Sequence, residues 1–173
     1  MPDKRSIHQR QSIRLKEYDY TAAGAYFVTI ATWQKEPLLG EVENGVVRLS
    51  PLGQCAADSL QGLTAHFPLQ VDEWVVMPDH LHAILVINAN ATCGEVGKTS
   101  LRPCGVPAGT IPGSLGAIVQ NFKSLAARRI SALRRTPGAR VWQRNYYEHI
   151  IRDWDDMERI RLYIRNNPLR WGM

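Results

Sequence analysis

Cysteine is scarce in this sequence. Cys55, Cys93 and Cys104 form no CxxC motif and no plausible disulfide framework. An odd count fits a reducing compartment better than an oxidising one, so free thiols are expected. Long hydrophobic runs are also missing. None approaches the ~20 apolar residues of a membrane-spanning helix, and no N-terminal apolar stretch resembles a signal peptide. A cytoplasmic protein with no membrane partner is therefore expected. Internal repeats and low-complexity tracts are absent. The 173 residues suit one domain over 1–173, enough to bury a core without covalent staples.

What is present begins with charge. Lys and Arg number 21 against 16 Asp and Glu, a net +5 that favours polyanion partners. Residues 1–20 carry Lys4, Arg5, His8, Arg10, Arg14 and Lys16, either a frayed terminus or a basic arm lying on phosphates.

The apolar pattern then sets out the elements. Residues 24–33 are rich in β-branched and aromatic side chains and read as a strand. Residues 41–49 carry Asn44-Gly45 between short apolar pieces, a hairpin signal. Ser50-Pro51 reads as a helix N-cap and first turn, with the helix running to Ala65-His66. Strands are expected over 71–77 and 81–88. Residues 89–112 form a long loop rich in Gly and Pro. A second helix spans 114–130, a strand 141–151, and a last helix opens on Asp153 and stops before Pro168. This order predicts an α+β fold of ferredoxin-like type, an antiparallel sheet with its helices packed on one face.

One stretch carries chemistry. In Pro78-Asp79-His80-Leu81-His82, two histidines sit one residue apart just after a turn. On a strand they share a face, with Cα atoms roughly 6.5–7 Å apart, and neutral imidazoles so placed can grip one divalent cation. The plain alternative is a hydrogen-bonded pair near a turn. Asp79 is a turn residue or an orienter of a neighbouring ligand. Lys123, Arg128, Arg129, Arg134, Arg135 and Arg140 cluster at the end of the second helix and just after it. They read as a solvated helix end or, at this density, as phosphate contacts. On the 141–151 strand, Trp142, Arg144, Tyr146 and Glu148 share one face, and Gln143, Asn145, Tyr147 and His149 the other.

These segments together resemble the REP-associated tyrosine transposases, single-tyrosine nucleases of the HUH class. The resemblance is carried by Pro78-Asp79-His80-Leu81-His82, Phe122-Lys123-Ser124, the run from Trp142 to Arg152, and Tyr163-Ile164-Arg165-Asn166-Asn167-Pro168. It extends from about Ser12 to Trp171. The resemblance implies a ferredoxin-like HUH nuclease fold, with Mg²⁺ or Mn²⁺ on His80 and His82 and Asn167 as a third ligand or a contact near it. It implies Tyr163 as the nucleophile and hairpin DNA with a single-stranded flank as the substrate. The product would be a covalent 5′-phosphotyrosine, formed by a monomer or a homodimer.

Phosphate-holding side chains are expected among Lys123, Arg128, Arg129, Arg144, Arg152, Arg161 and Arg165. Tyr146 and Tyr147 are candidates for packing or for stacking on an unpaired base. His149 is a residue that orients a metal ligand, a general base, or a satisfied strand histidine. Two rival classes stand beside the nuclease: a non-cleaving nucleic-acid-binding regulator derived from a transposase, and a metal hydrolase that uses water and needs no Tyr163.

Overall fold

A computed structural model describes residues 23–88 and 113–172. The basic arm over 1–20 and the 89–112 loop, with Cys93 and Cys104, lie outside the described residues. Cys55 is a free thiol.

Strand β1 spans Gly24–Ala31. A small hairpin follows, β2 (Gly40–Glu43) and β3 (Val46–Leu49), turning on Asn44 and Gly45, both at positive φ, as such two-residue turns require. Helix α1 (Pro51–Gln61) starts where Ser50 Oγ accepts from the Gly53 N–H at 3.1 Å, with Pro51 opening the first turn. Strands β4 (Leu69–Val76) and β5 (His80–Ile87) form the long hairpin. Helix α2 (Leu115–Arg134) runs a turn longer than its apolar stripe and ends at Arg135 in the left-handed region. Strand β6 is Tyr147–Ile151, and helix α3 is Trp154–Arg165.

The main sheet has the order β4-β5-β1-β6, antiparallel throughout. With α1 and α2 as the two crossovers, this is the ferredoxin-like arrangement. Alternation sends Tyr26, Val28 and Ile30 of β1, and Leu81, Ala83, Leu85 and Ile87 of β5, into the layer covered by α1 and α2. There Leu60, Leu115, Ile118, Phe122 and Ile130 close the main core. Each such side chain contributes about 1.5–3 kcal/mol by leaving water.

The expected one-sided helix layer holds for α1 and α2. Helix α3 instead lies across the sheet from them. Its Ile160 and Ile164 pack on Phe27, Ile84 and Ile151. The reason is in the central strands: β5 is apolar at consecutive positions 83–87, so both of its faces need cover.

The expected 141–151 strand is also shorter. Only 147–151 pairs with β1, while Trp142 makes an isolated bridge to Thr32. Lys123 Nζ donates to the carbonyls of Gln143, Arg144 and Asn145 at 2.9, 3.3 and 2.9 Å. Three successive carbonyls meeting one ammonium curl the chain, because extended backbone alternates its directions. The face assignment holds for β6 itself, where Tyr147 and His149 lie on the side of Phe27 and α3.

Strand β4 is an edge strand with a bulge. Val71 pairs with Leu85 and Trp74 with Ala83, so Asp72 and Glu73 together oppose Ile84.

Candidate active site

The turn into β5 is pinned from two directions. The Asp79 carbonyl accepts from Thr32 N–H at 2.8 Å and Thr32 Oγ1 at 2.9 Å, and the Pro78 carbonyl accepts from Leu39 N–H at 2.9 Å. This seats His80 at the first position of β5. His80 and His82 then share the face that looks toward α3, as their spacing predicts.

Their Nε2 atoms stand 3.1 Å apart. Each Nδ1 has its own partner: Asp79 Oδ1 lies 2.5 Å from His80 Nδ1, and Thr29 Oγ1 lies 2.8 Å from His82 Nδ1. A carboxylate only accepts, so His80 donates from Nδ1, and in its neutral form this leaves Nε2 as the open nitrogen. Phe27 stacks on His82, with ring centroids 5.3 Å apart and planes 25° apart. Burial first, and the neighbouring His80 second, push His82 down to about 3, so its imidazole is neutral at ordinary pH.

The donor set fits a divalent cation. Two ligand atoms each about 2.1 Å from one octahedral ion stand roughly 3 Å apart when they take adjacent positions. Both histidines have the outer partners that orient metal-binding imidazoles. Among the described residues no cluster of three His, Cys, Asp or Glu side chains comes together. Among the described residues no hydrogen bond joins the Asn167 side chain to either histidine. Asn167 keeps helical dihedrals (φ −59°, ψ −43°) despite Pro168, and leads into a short 3₁₀ turn, Pro168–Arg170.

Tyr163 comes from α3, 81 residues beyond His82 in the chain, and its hydroxyl lies 3.5 Å from His82 Nε2. Its ring meets His82 and Phe27 edge-on, with centroids 5.2 and 5.9 Å away. The Trp171 ring has its centroid 6.0 Å from that of His80. A cleft of about 760 Å³ opens beside Tyr163, lined by Phe27, Tyr147, His149, Leu162, Asn166 and Arg170 among others. Tyr147 is half-exposed there. His149 Nε2 lies 2.7 Å from Asp156 Oδ2, and Arg159 pairs with the same carboxylate. Burial pushes Asp156 up, but the hydrogen bonds from His149 and Arg159 outweigh it and hold the carboxyl below its usual range.

The basic residues are placed otherwise than their clustering suggests. Lys123, Arg128 and Arg129 lie on α2, in the layer across the sheet from the histidines. Lys123 turns inward to its three carbonyls, and Arg129 reaches Ser59 of α1 at 3.3 Å. Tyr146 packs against the main core with Lys123 over its ring at 5.5 Å. Arg128, Arg144 and Arg152 are exposed. Arg161 is held by Asp72 and Arg165 by Glu73.

Thr29, Phe27 and the Asp72–Glu73 pair were not singled out from sequence. A threonine inside an apolar strand was the only signal for Thr29, and its partner follows from register alone.

Among the described residues no helix is long and apolar enough to cross a membrane. No protein-family model matches the chain. It aligns over 94% of its length with the structure of a REP-associated tyrosine transposase bound to a REP hairpin, covering 75% of that chain, with a TM-score of 0.62 and 18% identity. The chain therefore has the fold of the REP-associated tyrosine transposases, with a histidine pair and a tyrosine meeting on one face of its sheet. A protein of Haemophilus influenzae, described only as uncharacterized, is 39% identical over 171 residues, 95% of this chain and 91% of that protein. The chain belongs to the same family as that protein.

Proposed function

We propose that this protein is a metal-dependent single-strand DNA endonuclease and strand transferase acting on hairpin DNA through Tyr163. The observation that supports this most is the meeting of a remote phenol with a histidine pair: Tyr163 Oη lies 3.5 Å from His82 Nε2, which is itself 3.1 Å from His80 Nε2. His80 and His82 would hold Mg²⁺ or Mn²⁺, which supplies positive charge to polarise a scissile phosphate. The substrate class is carried over from the relative of shared fold, which was solved on a REP hairpin.

The chain's own residues would work as follows. Asp79 and Thr29 would hold the two rings by Nδ1, leaving the Nε2 atoms facing each other. Phe27 and Ile160 keep the floor of the site dry. Tyr163 Oη bonds to phosphorus as the bond from phosphorus to the 3′-oxygen breaks. The phenol loses a proton, and the leaving oxygen gains one to become a free 3′-hydroxyl. The 5′-phosphotyrosine keeps the phosphodiester energy, so the reverse attack rejoins strands without ATP.

The test uses 3′-end-labelled hairpin DNA with a single-stranded flank, Mn²⁺ and a denaturing gel. A labelled protein adduct is expected, and it should vanish in Tyr163→Phe. No adduct, or an adduct unchanged in that variant, would overturn the proposal. Binding that survives both Tyr163→Phe and His80→Ala with no cleavage by the parent protein would point to a regulator instead.

A further inference from the structure

Helix α3 has little apolar anchorage for an element that carries the candidate nucleophile. Of its twelve residues only Ile160 and Ile164 are buried. A helix of this length is marginal by itself, and apolar contact does not fix rotation about the helix axis. Something directional must set that rotation.

Beyond the His149–Asp156 hydrogen bond at the first turn of the helix, the bulge in β4 supplies it. Ordinary alternation would send Asp72 and Glu73 to opposite faces, yet both reach α3. Asp72 receives Arg161 in two-pronged fashion, Nε at 2.7 Å and Nη2 at 2.6 Å. Glu73 receives Arg165 Nε at 2.7 Å. Such planar pairs constrain angle as well as distance. Arg161 and Arg165 lie one turn apart on one side of the helix, and Tyr163, two residues from each, lies nearly opposite. A hydroxyl roughly 6 Å from the axis moves ~1 Å for a roll of about 10°.

We infer that Asp72 and Glu73 are positioning residues for Tyr163, acting through Arg161 and Arg165 to set the roll of α3. This rests on the reading of Tyr163 as nucleophile. It gives the two arginines a use other than phosphate contact.

The test compares single-turnover adduct formation and hairpin binding for Asp72→Asn, Glu73→Gln, Arg161→Gln and the double variant D72N/R161Q. Adduct formation should slow about 10- to 100-fold in Asp72→Asn and Arg161→Gln, the cost of a misplacement near 1 Å. Hairpin Kd and its salt dependence should stay as in the parent. The double variant should be no slower than the slower single one, because both changes break one pair. Should Asp72→Asn fail to fold, Asp72→Glu keeps the pair on a longer arm and carries the same rate comparison. Parental rates in Asp72→Asn and Glu73→Gln, with weaker binding and a smaller salt slope in Arg161→Gln, would overturn the inference and return the arginines to phosphate.

A second readout needs no activity: fluorotyrosine placed at position 163 and observed by ¹⁹F NMR. If the parent protein forms no adduct, the nuclease reading falls, and this arm decides the positioning alone. A line shifted or broadened by Asp72→Asn supports the clamp; an unchanged line overturns it.

Discussion

Thr29 on β1 and His82 on β5 stand directly opposite one another, and the Thr29 hydroxyl lies 2.8 Å from His82 Nδ1. A hydroxyl can donate or accept, so it serves His82 in either tautomer. With a proton on His82 Nε2, that nitrogen donates to His80 Nε2 and Thr29 donates to Nδ1. Were a cation held by the two histidines, His82 Nδ1 would carry the proton and Thr29 would accept it.

Thr29→Val keeps the shape of the side chain and removes that partner. Mn²⁺ affinity, measured by calorimetry or by the free-ion EPR signal, should fall about 10- to 100-fold. Parental affinity in a variant that melts like the parent would show that Thr29 does not orient His82.

Ile164 is fully buried between α3 and the sheet. Ile164→Ala should cost about 2–5 kcal/mol in urea unfolding, from lost transfer energy and the cavity left behind. A loss below ~1 kcal/mol would mean that α3 collapses onto the gap or that its packing matters little.

Lys123 donates to three backbone carbonyls, and burial pushes its ammonium down to about 8. Lys123→Met should therefore destabilise the fold by about 1–3 kcal/mol while leaving the salt slope of hairpin binding unchanged. The sign of its pH dependence follows from linkage. The unfolded chain binds this proton up to a pH of about 10.4, above the folded value, so stability rises with pH between the two. The gap between parent and Lys123→Met should widen from pH 8 to 10. A gap that narrows over that range would show that the carbonyls hold the ammonium charged.

The Arg161 hydrogen bond, ahead of opposing burial, holds the Asp72 carboxyl below its usual range. A depressed carboxyl contributes stability that is present above its unfolded value of about 3.9 and lost as pH falls toward its folded one. Melting temperatures from pH 7 down to 2.5 should drop on the acid side, and Asp72→Asn should shallow that drop. An acid limb identical in the two proteins would sink the coupling.

Much of this architecture was legible in the chain itself. Ser50-Pro51 and Asn44-Gly45 marked a helix start and a hairpin because their chemistry is local. The extent of β6 was not legible, because the curl over 143–145 depends on a lysine 20 to 22 residues earlier in the chain. The acceptors that Lys123, Arg161 and Arg165 find were not legible for a similar reason: position in the sequence says nothing of the carbonyls and carboxylates that lie near in space.

The sequence by itself determined that His80 and His82 share one face, since a strand alternates its side chains with a period of two. The unbroken apolar run of β5 was in the sequence too, but the helices were expected on one face, and the placing of α3 on the other emerged only in the fold. Only the tertiary structure decided that Tyr163 arrives at those histidines, that Thr29 stands behind one of them, and that Asp72 and Glu73 both reach α3. Those relations depend on strand register, on a bulge and on which side of the sheet a helix lands. Each is a balance of packing over the whole molecule rather than a preference of any local segment.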